Sequence, residues 1–102
     1  MTTYYVKCIN KHPTHSDPHR RIQHIGTNES RPETKATKKW TVAEVVSAIE
    51  DDGDIFYCHD DEGDWVLVEV ATHDGHAYVK TENDGIQPDN LLAQRECGGP
   101  NW

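Results

Sequence analysis

Three runs of β-branched and aromatic residues in the second half of the chain leave little freedom of fold. Ile55-Phe-Tyr-Cys-His59, Asp64-Trp-Val-Leu-Val-Glu-Val70 and His76-Ala-Tyr-Val-Lys-Thr81 each have strand composition. Asp60-Asp-Glu-Gly63 joins the first two, and Asp74-Gly75 supplies a tight turn before the third. Joints this short connect antiparallel neighbours, since a parallel crossover needs a dozen or more residues. Alternation sends Val66, Val68 and Val70 to one face and Trp65, Leu67 and Glu69 to the other. A meander with a valine face needs a second layer to cover it.

The cover is encoded just upstream. Thr41-Val-Ala-Glu44 fits a capping box, in which the Thr41 hydroxyl accepts from the Glu44 amide and the Glu44 carboxylate reaches back. Trp40 and Val45 flank the cap at hydrophobic-staple positions. Val42, Val45, Val46 and Ile49 recur at helical spacing and make one apolar face. The helix is expected to end between Glu50 and Asp52, with Gly53 taking the left-handed turn. Carboxylates at its C-terminus oppose the macrodipole. Packing must therefore hold this helix, because nine or ten residues are too few for local propensity.

The first forty residues read less sharply. Thr3-Tyr-Tyr-Val-Lys-Cys-Ile9 is a strand. Residues 10–19 form a loop, since Pro13 and Pro18 exclude a central strand. Residues 20–25 read as a second strand ended by Gly26, and 27–39, with Ala36 as their one apolar residue, as a long mobile loop. Beyond the meander, Asn83-Asp84-Gly85 is a turn, and Pro88 to Gln94 make one helical turn that docks Leu91 and Leu92. The expected architecture is α+β: a mostly antiparallel sheet of about five strands, in the order β-β-α-β-β-β, with one helix packed across it. A curled sheet approaching a half-barrel is the alternative. One domain over 1–97 and a loose tail over 98–102 complete the reading.

Composition bounds the setting. Hydrophobic residues make up 34% of the 102, and the mean hydropathy is −0.85. Three Trp, four Tyr and one Phe still supply core material. No run approaches the roughly 20 apolar residues of a membrane helix, and Met1 to Lys7 lack a signal-peptide core. The expectation is a cytoplasmic protein. Cys8, Cys58 and Cys97 are odd in number and widely spaced, which reads as three reduced thiols. The formal net charge of −8 is unevenly spread. Eight Lys/Arg face three carboxylates in the first forty residues, whereas two face fifteen in the remainder. Two halves of one small domain must interleave, so mutual compensation is the simpler meaning of this split.

Several of these segments together resemble a family of small prokaryotic proteins known as domain of unknown function 3892. The resembling segments are Arg21-Ile-Gln-His-Ile-Gly26, Trp40 to Glu50, Ile55-Phe-Tyr57, Val66 to Ala71, Tyr78-Val-Lys-Thr81 and Asp84-Gly-Ile-Gln-Pro-Asp-Asn-Leu-Leu92. The likeness spans about residues 4–97. Gln94-Arg-Glu-Cys97 departs from the family's usual Leu-Pro-Glu-Cys, and the His-rich loop at 11–19 has no counterpart in it. The resemblance implies a shared fold and brings no activity, substrate or catalytic residue.

The residue types admit four chemistries. Seven His and three Cys suggest metal, with Cys8, His12 and His15 as a set completed by Cys58 or His59, yet no Cys-x2-Cys pair supports it. The acidic turn around Asp60 to Asp64 has oxygens for a hard cation but not the twelve-residue loop. No Gly-x-Ser-x-Gly, P-loop or His-Glu-x-x-His motif marks an enzyme, and Cys58 and His59, adjacent in a strand, point to opposite faces. Arg20, Arg21, Arg31, Lys35, Lys38 and Lys39, with Tyr4 and Tyr5, have the types that contact phosphates and stack on bases. The net acidity opposes such binding at long range. The functional expectation is a non-enzymatic module that binds a protein partner, with no cofactor and no membrane. A nucleic-acid-binding domain using residues 20–39 is the alternative.

Overall fold

The computed structural model describes residues 1–11, 22–30, 35–59, 62–82 and 89–97. The elements are β1 (Thr3–Lys11), β2 (Ile22–Asn28), β3 (Lys38–Thr41), α1 (Val42–Glu50), β4 (Ile55–His59), β5 (Trp65–His73), β6 (His76–Thr81) and α2 (Asp89–Leu92). The strands form one sheet in the order β3-β2-β1-β4-β5-β6. Every neighbouring pair is antiparallel except β1 and β4, which run parallel.

The α+β class and the single main helix agree with expectation, and the meander strands and the Asp74-Gly75 turn lie where the residues put them, while Asp60, Asp61 and the expected turn at 83–85 lie outside the described residues. Asp74 and Gly75 both take positive φ, 50° and 81°, as a two-residue hairpin turn requires. The Thr41 hydroxyl accepts from the Glu44 amide at 3.2 Å, and a Glu44 carboxylate oxygen accepts from the Thr41 amide at 2.9 Å. The helix stops at Glu50, and Gly53 follows with φ 70°.

Two readings need correction. The stretch 27–39 is not one loop, because β2 runs on to Asn28 and Lys38–Thr41 adds a sixth strand. The order is therefore β-β-β-α-β-β-β. The added strand is a short edge strand whose one buried residue is Trp40, with lysines at exposed positions, a pattern that hides its strand character in composition and blunts the edge. Nor does Gly26 end β2; it lies inside the strand, opposite Cys8. A Cβ there would fall 2.6 Å from Cys8 Sγ and 2.9 Å from both Cys97 Sγ and Ala36 Cβ. The glycine marks a close approach rather than a strand end.

Pairing is staggered along the sheet. Residues 3–5 of β1 pair with β4, and residues 5–11 pair with β2. Residues 65–67 of β5 pair with β4, and 68–73 pair with β6. Thr2 starts the parallel pair: its carbonyl accepts from the Ile55 amide at 2.9 Å, and its own amide donates to Asp54 Oδ1 at 2.9 Å.

The helix covers one face. Val45 and Ala48 of α1 share a core with Val6, Ile9, Ile25, Phe56, Val68, Val79 and Leu91. Tyr4, Trp40 and Phe56 meet there, Tyr4 stacked on Phe56 at 5.0 Å and Trp40 edge-on to both at 5.0 and 5.1 Å. The buried Trp40 indole donates to Thr27 Oγ1 at 2.8 Å, so its one polar atom is satisfied. α2 seats Leu91 in the same core, and Asn90 Nδ2 donates to the buried Thr81 hydroxyl at 2.7 Å.

The cysteines also depart from expectation. Cys8 and Cys97 form a disulfide across 89 residues of sequence, and Cys58 is a fully buried thiol that donates weakly to the His59 and Asn90 carbonyls. Sequence spacing could not show this pairing, because it follows from the C-terminal segment returning to β1. The Ile9 amide donates to the Arg95 carbonyl at 2.9 Å, and the Cys97 amide to the Ile9 carbonyl at 2.9 Å.

Candidate interaction surface

Alternation along β1, β4 and β5 sends a second set of aromatic residues to the face away from α1. Tyr5 lies opposite Tyr57, and Tyr57 opposite Leu67. His59 lies opposite Trp65. The rings touch across the three strands. Tyr5 and Tyr57 stack at 5.8 Å, Tyr5 and Trp65 meet edge-on at 5.0 Å, and the His59 imidazole lies 3.6 Å from the Trp65 ring centre. Lys7 crowns the group, with its Nζ 4.9 Å from the Trp65 ring centre and 5.7 Å from that of Tyr5. A cation so placed is held by the ring quadrupoles. Tyr5, Tyr57, His59, Trp65 and Leu67 are all half-buried, and none belongs to the core under α1.

The border of this face is charged. Glu62 and Asp64 are exposed just before Trp65. Lys80 pairs with Glu69 at 2.7 Å across β5 and β6. From the C-terminal segment, Arg95 Nε donates to the Lys7 carbonyl at 3.3 Å, and Gln94 Nε2 donates to the His59 carbonyl at 3.1 Å. The C-terminal segment thus holds the backbone beneath two members of the ring group.

The residues singled out in the sequence are not gathered there. Lys35, Lys38 and Lys39 are exposed on and beside β3, the edge strand two positions away from β1. Lys38 Nζ lies 3.9 Å from the Trp40 ring centre and 5.6 Å from that of Tyr4. Arg20, Arg21 and Arg31 lie outside the described residues, as do His12 and His15. The metal set loses a ligand, since Cys8 is bonded to Cys97 and has no thiolate to offer. Among the described residues, no group of three or more His, Cys, Asp and Glu could hold a metal ion. No helix among them is long and apolar enough to cross a membrane.

One site residue, Tyr5, was within reach of sequence reasoning, and the orientation of Trp65 and Leu67 was legible from alternation. Their meeting with Tyr57 was not. It depends on β1 pairing in parallel with β4 across more than forty intervening residues, and no local pattern signals that pairing.

Fold and surface together define a small α+β sheet domain with one face closed by a helix and the other carrying a half-buried ring cluster. The chain belongs to the family described as "protein of unknown function (DUF3892)", whose model matches residues 5–93. No curated protein and no solved structure matches it.

Proposed function

We propose that this domain is a non-enzymatic protein-interaction module whose contact surface is the ring-bearing sheet face. The observation that carries this reading is the joining of Tyr5, Tyr57, His59 and Trp65 across three strands on the face away from α1. Tyrosine and tryptophan dominate the buried centres of protein interfaces because they bury large areas at little entropic cost. Lys7 and Glu69 supply the polar rim such a centre uses. The net charge of −8 favours a partner with a basic surface, which it would steer toward the domain.

Tyr57→Ala and Trp65→Ala test the reading on the full chain. Each is expected to weaken a captured partner's binding at least about tenfold, as loss of a hot-spot ring does, while amide spectra stay native. Lys39→Ala, on the far edge strand, is expected to leave binding unchanged. A partner held equally by wild type and both ring variants would sink the assignment.

One observation favours a second reading. Lys7 over stacked rings is an arrangement that also takes unpaired nucleic-acid bases. Titration of an oligothymidine at rising salt separates the two. Binding that falls steeply with salt and with Trp65→Ala supports the nucleic-acid reading, whereas no binding at low salt removes it.

A further inference from the structure

Beyond Tyr5 and Tyr57, β1 and β4 no longer pair, and the C-terminal segment closes on β1 where they part. Among the described residues its one bridge to the sheet is parallel, Ile9 to Glu96. Its backbone contributes the two hydrogen bonds with Ile9. Asn10 Nδ2 adds a bond to the Cys97 carbonyl at 3.3 Å, but Asn10 Oδ1 is left buried without a hydrogen-bond partner. Ala93, Arg95 and Glu96 are exposed, so apolar burial does not hold the segment between Leu92 and Cys97. What fastens its end is the bond between Cys8 and Cys97, closed in by Gly26 and Ala36. The same segment supports the backbone of Lys7 and His59.

We propose that the Cys8–Cys97 disulfide is a redox latch on the ring-bearing face: a dithiol reductant opens it, frees residues 93–97 from β1, and loosens Lys7 and His59. The effect on binding rests on the function proposed above; the latch itself does not. One thiolate of the dithiol attacks Cys97 Sγ; as residues both cysteines are buried, Cys97 at 7% exposure and Cys8 at 4%. The sulfur–sulfur bond breaks, and Cys8 leaves as a thiolate that takes a proton from water. The second thiol of the reductant then displaces Cys97 from the mixed disulfide, and Cys97 is protonated in turn. The protein gains two electrons and two protons, and the dithiol becomes a cyclic disulfide. Disulfides that serve in reducing compartments are of this transient, sensing kind.

Amide hydrogen exchange of the full chain, before and after native treatment with dithiothreitol, tests the proposal. Iodoacetamide trapping reports which thiols are free. Reduction is expected to expose Cys8 and Cys97 to alkylation and leave Cys58, buried in the core, unmodified. The Ile9 and Cys97 amides are expected to exchange at least about tenfold faster, while those of α1 and of β5–β6 keep their protection. The Trp65 indole and His59 ring resonances are expected to shift. A Cys97→Ser variant, which has no disulfide to reduce, is expected to show the open pattern without reductant. Three results would overturn the latch: a disulfide that resists native reduction, Ile9 and Cys97 amides that stay protected once it is reduced, or loss of protection throughout the chain in both the reduced protein and Cys97→Ser. A latch that opens while the ring variants leave partner binding untouched would instead overturn the proposed surface alone.

Discussion

Gly26 shows how much one missing methyl group controls. Both sulfurs of the disulfide and the Ala36 Cβ lie 2.6–2.9 Å from where its Cβ would be. Gly26→Ala is expected to destabilise the protein by about 1–3 kcal/mol, the usual cost of overpacking, measured by urea unfolding. Repeating the substitution in a Cys8→Ala/Cys97→Ala background should shrink that penalty, because two of the three close atoms are gone. An unchanged penalty would locate the obstacle in Ala36 instead. Asn28 plays a comparable local part. Its side chain donates to the Lys35 carbonyl at 2.8 Å and accepts from the Ser30 amide at 2.8 Å, fastening the end of β2 to the approach to β3.

In α1, stability concentrates at the N-terminus. The C-terminal turn carries no basic residue to complement the macrodipole, so the capping box and the buried Val45 and Ala48 must hold the element. Thr41→Ala is expected to cost about 1 kcal/mol in chemical denaturation. The Thr41 backbone amide, with its hydroxyl, holds the Glu44 carboxyl below its ordinary value of 4.5. The group's folded pKa is depressed, so its contribution is complete above the ordinary value and is lost as pH falls through the lowered one. Acidification from neutral pH should therefore release the Thr41 amide, seen as a shift of its resonance. Glu44→Gln should remove that titration while keeping an oxygen acceptor in place. A titration that survives in Glu44→Gln would assign it to another group. β3 works by a different balance: Trp40 anchors it, and the exposed lysines keep its open edge from pairing with other chains.

Across the molecule, Phe56 is where the two halves of the chain meet. It stacks on Tyr4 from β1 and meets Trp40 at the end of β3, and it is wholly buried. Phe56→Ala is expected to cost about 3–5 kcal/mol, read from the urea midpoint, and to loosen α1 and β1 together. A loss confined to β4 and β5 would mean the halves are not coupled through this ring. Trp65→Ala, on the other face, should cost far less stability and act on binding.

Much of this was legible in the residues. The meander from Ile55 to Thr81, the capped helix at Thr41, the docking of Leu91 and the α+β class follow from local rules of alternation, helical spacing and capping. Such rules act within a few residues, so one chain segment displays them in full. β3 stayed hidden because four residues with two lysines carry almost no strand signal apart from Trp40. The disulfide, the role of Gly26 and the ring cluster stayed hidden for a different reason. Each joins residues far apart in sequence, Cys8 with Cys97 and Tyr5 with Tyr57. Distances across a sheet depend on strand order, register and the one parallel pairing, and these are settled only when the whole chain closes on a shared core.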